Sequence, residues 1–462
     1  MTQSKHEESL ISQPKNQKPK LATPIPGKLS QALRSEEDQY IADGLQGFAL
    51  MAGIVVDNAE GNIVRDVDGN EFLDVIGGIG VNGLGHSHPK FVKAIKEQVE
   101  KASVGSFTSK ARIDFFKLFD KIKLGNLNRI QLYSSGAEAV ESALRLAKNK
   151  TEKWELVSFS GGFHGKTQGV LALMGSDFKK TYGPFSPGAH IIPYANCYRC
   201  PLNTTYPGCG MACLEAGRKQ LKSNVSKGVA AFIVEPVQGT AGNIIPPKEF
   251  LPGIKELARE FDALMISDEM ITGFGRTGNF WGSNLSGVTP DIMTIGKQFG
   301  GGFPLSGIVT SDELVKVRPW GNPSGSSSSY GGNPLASAAA HAATKIIIEE
   351  KLVENSKKMG AYFLEKLRPL EEKYSFIGNV RGEGLMLGLD LIKDKKTKEP
   401  MTSKATNLIF KEFLNRGLLT MSYASCFRIQ PSMTIDAGTI DNVVSIMIGV
   451  FDLVEKQNIK NL

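Results

Sequence analysis

A chain of 462 residues is long enough for a large α/β core with a smaller partner domain. Its 41% hydrophobic and 22% charged residues exclude a fibrous or disordered chain. Six Lys/Arg against two Glu within residues 1–34 hold more than half of the modest +7 charge, which leaves no basis for a nucleic-acid partner. The opening MTQSKHEESLISQPKNQKPK has no continuous apolar run and is not a secretory signal. Residues 1–30 read as a mobile tail. The longest near-apolar stretch, GFALMAGIVV, falls short of the roughly 18 residues of a membrane span, so a soluble, cytoplasmic protein with no membrane partner is expected.

Next, GNIVRDVDGNEFLDVIGG reads as a hairpin around Asp68-Gly69-Asn70, within a segment (31–75) expected to pack with the smaller domain. The larger domain is placed at 76–334. There, short apolar runs at 129–135, 155–160, 230–237, 263–269 and 291–297 alternate with helical patterns, the βαβ signature of a mostly parallel sheet. After the first run, SSGAEAVESALRLA brings Ser135, Gly136 and Ala137 to the start of a helix, whose free N–H groups and dipole suit a phosphate. Val140, Ala143, Leu144 and Ala147 mark the buried face of that helix. In FSGGFHGKT, Phe163 and His164 sit on a glycine-rich turn where an aromatic face can stack on a flat ligand.

Cys197, Cys200, Cys209 and Cys213 form CxxC followed by CxxxC, a pattern open to zinc or an iron–sulfur centre. The intervening spacing is short for a zinc ribbon; a reduced or partly disulfide-linked surface loop is expected, and no metal is assigned. ISDEMITGFGRTG then ends an apolar run on Asp268, with Glu269 beside it. PDIMTIGKQFGGGFPL ends the next one on Lys297. A buried lysine is costly if charged and unpaired, which points to chemistry. Beyond residue 335 the pattern changes to a smaller α+β domain, 335–462. His86 and His88 read as scaffold residues. His341, beside a serine-rich stretch, reads as a helix-surface or interface residue, because no G-x-S-x-G elbow supports a hydrolase.

An amine, a carboxylate and a phosphate cup facing one cleft are what pyridoxal 5'-phosphate (PLP) requires: the amine forms the Schiff base, the carboxylate partners the pyridine nitrogen, and the helix N-terminus holds the phosphate. From about 45 to 450 the chain resembles the class III (omega) aminotransferases, through SSGAEA, GGFHGKT, VEPVQG, ISDEMITGFGRTG, PDIMTIGKQFGGGFPL, SSSSYGGNPL and FRIQP in order. The resemblance implies the PLP-dependent transferase fold type I, an α/β large domain plus a smaller α+β domain. It implies that Lys297 is the Schiff-base lysine and proton carrier, Asp268 the pyridine-nitrogen partner, and Phe163 and Met270 the groups on the two ring faces. Ser135, Gly136, Ala137, His164 and Glu235 complete the cofactor site. Ser328 and Ser329 reach a neighbouring subunit's phosphate, which implies an obligate homodimer, possibly a tetramer. Arg428 grips a substrate carboxylate.

Three positions depart from the family pattern. Ile271 stands where an amide is frequent, Thr240 where a glutamate often pairs with the late arginine, and Lys148 where ungapped counting from His164 expects a donor-binding arginine. The expected activity is transfer of an amino group from a primary amine, diamine or omega-amino acid to a keto acid such as pyruvate or 2-oxoglutarate. The alternative is a racemase or epimerase of the same family.

Overall fold

The computed structural model describes residues 11–462; the first ten residues of the expected tail lie outside the described residues. Residues 11–27 are not a free tail. The Ser12 amide and hydroxyl donate to Glu350 (3.0 and 2.9 Å), the Asn16 amide to Asp436 (2.9 Å), and the Ala22 and Thr23 amides to the side-chain oxygen of Asn70 (both 2.9 Å). Polar and proline-rich composition hid this, because each amide finds its acceptor on a distant part of the chain.

Strands β1 (Val56–Glu60), β2 (Ile63–Asp66) and β3 (Glu71–Asp74) form a small antiparallel sheet around the expected turn. Asp66 accepts from the amides of Asp68 (3.0 Å) and Asn70 (2.8 Å), while Gly69 supplies a φ of 85° that a side chain would resist.

The main sheet contains β4 (Arg129–Tyr133), β5 (Glu155–Phe159), β6 (Ala189–Ile192), β7 (Val229–Val234), β8 (Leu264–Asp268), β9 (Ile292–Ile295) and β10 (Ser306–Thr310). Their spatial order is β4-β10-β9-β8-β7-β5-β6, parallel except for β10, which runs against both its neighbours. β7 is buried at every position, as a strand covered on both faces must be. The sequence pattern found five of these strands and missed β6 and β10.

Past the helices Pro334–Glu349 and Leu352–Lys373, β11 (Ile377–Glu383) pairs with β12 (Met386–Leu391), β13 (Leu418–Leu419) joins β3, and β14 (Cys426–Ile429) completes the β11-β12-β14 sheet. The expected boundary at 334/335 falls at the start of the first of these helices. The apolar core does not divide there: Phe115, Phe299, Ala340, Leu389 and Val443 belong to one buried cluster. The helix Ala437–Lys456 has the length and composition of a membrane span, yet it packs Val443, Met447, Val450, Phe451 and Val454 into that core.

Candidate active site

The C-terminal ends of the parallel strands open into a cleft of about 840 Å³, the place where open α/β sheets gather their ligands. Gly136, Ala137, Phe163, His164, Glu235, Asp268, Met270, Lys297 and Arg428 all line it.

Ser135 is extended and caps the helix Gly136–Thr151, its hydroxyl accepting from the Glu138 amide at 3.3 Å, while Glu138 takes the Ser134 amide at 2.9 Å. The next N–H groups, those of Gly136 and Ala137, stand at the positive end of a 16-residue helix. Met270 crowds this cup: a Cβ on Gly136 would lie 3.1 Å from its sulfur, and one on Gly296 only 2.2 Å. Glycine at both positions leaves the cleft walls close together, which suits a flat ring.

Asp268, the last residue of β8, is buried. Its Oδ2 meets His164 Nδ1 at 2.6 Å; its Oδ1 accepts from Thr294 Oγ1 (2.9 Å) and the Met270 amide (3.1 Å). Burial opposes its charge, but the His164 contact and the Lys297 ammonium outweigh that and hold the carboxyl below its ordinary value. In the opposite direction, burial pushes up the acid of Glu235, whose two oxygens accept from the amides of Phe163 (3.0 Å) and Gly239 (2.9 Å).

Lys297 lies two residues beyond β9 rather than at its end. It opens a 3₁₀ turn in the left-handed region, with φ 50°. Packing around the cleft imposes this conformation against the local preference of a lysine. Its amine pKa is lowered by burial and by the Arg428 guanidinium, partly offset by Asp268 and Glu235, and among the described residues it forms no ion pair. Arg428, on β14, also lacks a carboxylate partner among the described residues; burial weakens its charge, while the Tyr423 hydroxyl and, more distantly, Glu235 support it.

Other expected residues lie elsewhere. Ser328 and Ser329 do not line this chain's cleft; the Ser328 hydroxyl accepts from the Gly331 amide at 3.2 Å, and Ser329 is exposed. Lys148 lines a separate groove of about 1000 Å³ with Arg145, Trp154 and Trp320, so it cannot serve as the donor-binding cation of the cleft. The cation at the mouth is Lys166, its Nζ 4.9 Å from the centre of the Phe178 ring. Counting along the chain pointed to Lys148, which lies outside this chain's cleft, whereas Lys166, in the GGFHGKT stretch, lines it. Gln46 and Tyr423 also face the cleft without having been foreseen.

The four clustered cysteines are reduced and line one small cavity, with burial lifting the Cys213 thiol to about 11. Among the described residues, no group of three or more His, Cys, Asp or Glu side chains is placed to hold a metal ion.

The family profile for aminotransferase class-III matches residues 48–451. The chain belongs to the class III aminotransferases. This class III aminotransferase is 34% identical to a leucine/methionine racemase of Thermococcus litoralis, over 84% of this chain and 88% of that protein. It is 33% identical to a 5-aminovalerate aminotransferase of Pseudomonas putida, over 91% of this chain and 98% of that protein. Among solved structures, an (S)-enantioselective omega-transaminase from Thermomicrobium roseum superimposes with a TM-score of 0.85 at 28% identity, covering 93% of this chain and 99% of that one. An amine transaminase from an uncultivated Pseudomonas species, solved in its PLP-bound form, gives 0.83 at 28% identity, with coverages of 90% and 98%. The fold is therefore that of the PLP-dependent transaminases of fold type I, and the protein is an enzyme, an aminotransferase.

Proposed function

We propose that this aminotransferase uses PLP to move an amino group from a primary amine, diamine or omega-amino acid to a keto acid such as pyruvate or 2-oxoglutarate. The observation that carries the reading is the unpaired Lys297 amine facing the same cleft as the Asp268–His164 pair and the N-terminus of the helix Gly136–Thr151. PLP, when bound, supplies an electron sink for the charge left when the substrate Cα loses its proton.

The chain's own residues do the rest. Lys297 Nζ would hold the cofactor and, as a free amine, would accept the substrate Cα proton; burial lowers its pKa and so favours the neutral form this needs. Asp268, locked by His164 and Thr294, stays ionised where a pyridinium nitrogen needs a partner. Phe163 and Met270 would flank the cofactor ring, and the Gly136 and Ala137 amides would hold its phosphate. Ser135 and Glu235 shape this pocket through the cap and the Phe163 amide. Arg428 binds the carboxylate of the keto acid as a planar fork, and Lys166 that of an omega-amino acid. The assembly proposed is a homodimer, Ser328 and Ser329 of each subunit completing the other's phosphate site.

The test is the visible absorbance of the PLP-loaded enzyme before and after addition of a diamine without keto acid. Bleaching with release of an aldehyde supports the proposal. No visible band with Lys297 intact and PLP supplied would sink it.

One observation favours the racemase as second reading. With Thr240 at the gate, no carboxylate among the described residues forms an ion pair with Arg428, which leaves it open to the alpha-carboxylate of an amino acid, and the Thermococcus litoralis relative bears the name of such an enzyme. Loss of optical purity of leucine or methionine without keto acid, with the band persisting, would select it.

A further inference from the structure

Two separate pieces of chain build the wall that faces a substrate carboxylate: the turn 238–244, which reaches the cleft through Gly239 and Thr240, and β14, which brings Arg428. The turn is closed on itself. Gln238 and Ile244 exchange backbone hydrogen bonds (3.1 and 2.9 Å), and the Gly239 carbonyl accepts from the amides of Gly242 and Asn243 (both 3.1 Å). The carbonyls of Gly242 and Asn243 are left for the β11-β12-β14 sheet, and Arg381 of β11 serves both. Its Nε donates to Gly242 (3.2 Å) and Asn243 (3.1 Å), and one terminal nitrogen donates to Gly242 (2.7 Å). The other terminal nitrogen donates to the Asn379 side chain (3.1 Å) and pairs with the buried carboxylate of Asp390 on β12.

Asn243 makes the same connection with its side chain. It is fully buried in the left-handed region (φ 54°); its amide donates to the Leu387 carbonyl of β12 (2.6 Å), and its side-chain oxygen accepts from Gln430 (2.7 Å), just past β14. The backbones also touch. Gly388 is the residue opposite Arg428 in the β12–β14 pairing, and a Cβ on Gly388 would lie 2.5 Å from the Gly242 carbonyl oxygen.

We propose that Arg381, backed by Asn243, is a positioning residue for carboxylate recognition: it ties the turn that carries Thr240 to the sheet that carries Arg428, so the two sides of the receptor keep a fixed spacing. The inference rests on the reading of Arg428 as the carboxylate receptor. Arg428 has no ion-pair partner among the described residues, so its place over the cleft depends on the backbone that bears it. A guanidinium suits the tie because its planar fork serves two carbonyls and a carboxylate at once, whereas a lysine ammonium is a single point donor.

The experiment measures calorimetric binding of glutarate, an unreactive dicarboxylate, to the PLP-loaded wild type and its Arg381→Lys, Asn243→Gly and Arg428→Ala variants. Arg381→Lys keeps a cation for Asp390 but gives up the fork on the two carbonyls. Asn243→Gly keeps the left-handed backbone, removes the bridging amide, and carries the test alone if the lysine variant does not fold. Roughly tenfold weaker glutarate binding is expected for each, the size of one of the two charge-assisted hydrogen bonds of a bidentate carboxylate, and a larger loss for Arg428→Ala. In turnover, KM for 2-oxoglutarate rises by the same roughly tenfold factor, while kcat and the KM of a carboxylate-free diamine stay within about twofold. If Arg428→Ala loses glutarate but Arg381→Lys binds it as wild type does, the Arg381 inference is wrong. If Arg428→Ala binds glutarate normally, the receptor reading itself fails. An Arg381→Lys enzyme in which both KM values move together has suffered a general distortion, and the positioning role is overturned.

Discussion

Replacing Glu269 by Gln tests how the turn after β8 is held. Glu269 is fully buried, with no cation among its hydrogen-bond partners. Its Oε1 accepts from the Ser283 amide (2.7 Å) and hydroxyl (2.7 Å); its Oε2 accepts from Thr272 Oγ1 (2.5 Å) and the Gly282 amide (2.7 Å). Gln must turn its NH₂ toward one side. The hydroxyls can rotate to accept from it, but the Gly282 or Ser283 N–H on that side cannot. One buried amide donor is therefore orphaned, at about 1–3 kcal/mol, and the other loses the extra strength of a charged acceptor, about 1 kcal/mol more. Burial raises the carboxyl pKa of Glu269, so the neutral amide recovers part of the desolvation cost. A net local destabilisation of about 2–3 kcal/mol is expected, confined to the turn carrying Met270 and the segment Gly282–Ser286. Hydrogen exchange at the Gly282 and Ser283 amides reads this directly, rising roughly 30- to 150-fold. Exchange within about twofold of wild type would refute the reasoning, because the carboxylate would then not be what holds the two amides.

Asp268→Asn keeps an oxygen for Thr294 and the Met270 amide but loses the charge-assisted contact with His164. The amine half-reaction is expected to slow by at least roughly a hundredfold in rapid kinetics with the fold intact, and a drop below threefold would remove Asp268 from its proposed role. Lys166→Met raises KM for an omega-amino acid roughly tenfold and leaves a diamine unaffected, whereas Lys148→Met changes neither; the reverse pattern would restore the lysine chosen by counting. Glu155 and Glu350 both have folded pKa values depressed from 4.5 to about 2: burial opposes the shift, but for Glu155 the Lys227 amide and His190, and for Glu350 His88 and Lys90, outweigh it. Their stabilisation is complete above the unfolded value and fades as pH falls from about 4.5 toward 2. Glu155→Gln and Glu350→Gln should each flatten the acid limb of urea midpoint against pH, and a parallel, merely displaced curve would contradict this.

Asp268 was legible because a carboxylate ending an apolar run has few structural explanations, and the β8 boundary falls at that residue. The helix cup was legible because SSGAEA joins a cap residue to a clear 3.6-residue periodicity. Lys297 was found by residue type, but its left-handed backbone beyond β9 could not be foreseen: neighbouring packing imposes it against local preference. β6 escaped because it is an edge strand with only Ile192 fully buried, and β10 because it inserts antiparallel between β4 and β9, a choice made by the whole sheet. The anchoring of residues 11–27 escaped for a related reason: its acceptors, Glu350 and Asp436, are more than 300 positions away. Tyr423 and Lys166 are ordinary residues in sequence and become site residues only through the cleft they share.

The charges around that cleft explain what kind of ligand it suits. The buried acids at and behind its floor are already served by fixed donors: Asp268 by His164, Thr294 and the Met270 amide, Glu235 by two backbone amides, and Glu269, behind them, by hydroxyls and amides of Thr272, Gly282 and Ser283. None of them forms an ion pair with Lys297 among the described residues, so burial outweighs their attraction and lowers the pKa of that amine. The cations are treated oppositely. Lys166 rests against the neutral face of Phe178, and Arg428 has no ion-pair partner among the described residues, so both positive charges stay uncancelled. With a helix N-terminus contributing a third positive element, the cleft pairs satisfied acids with unsatisfied positive sites. Under the proposed function an anionic ligand would complete this arrangement, with a phosphate at the helix N-terminus, the carboxylate of a keto acid at Arg428 and that of an omega-amino acid at Lys166, while a carboxylate-free amine would leave the last two for the keto-acid half-reaction alone.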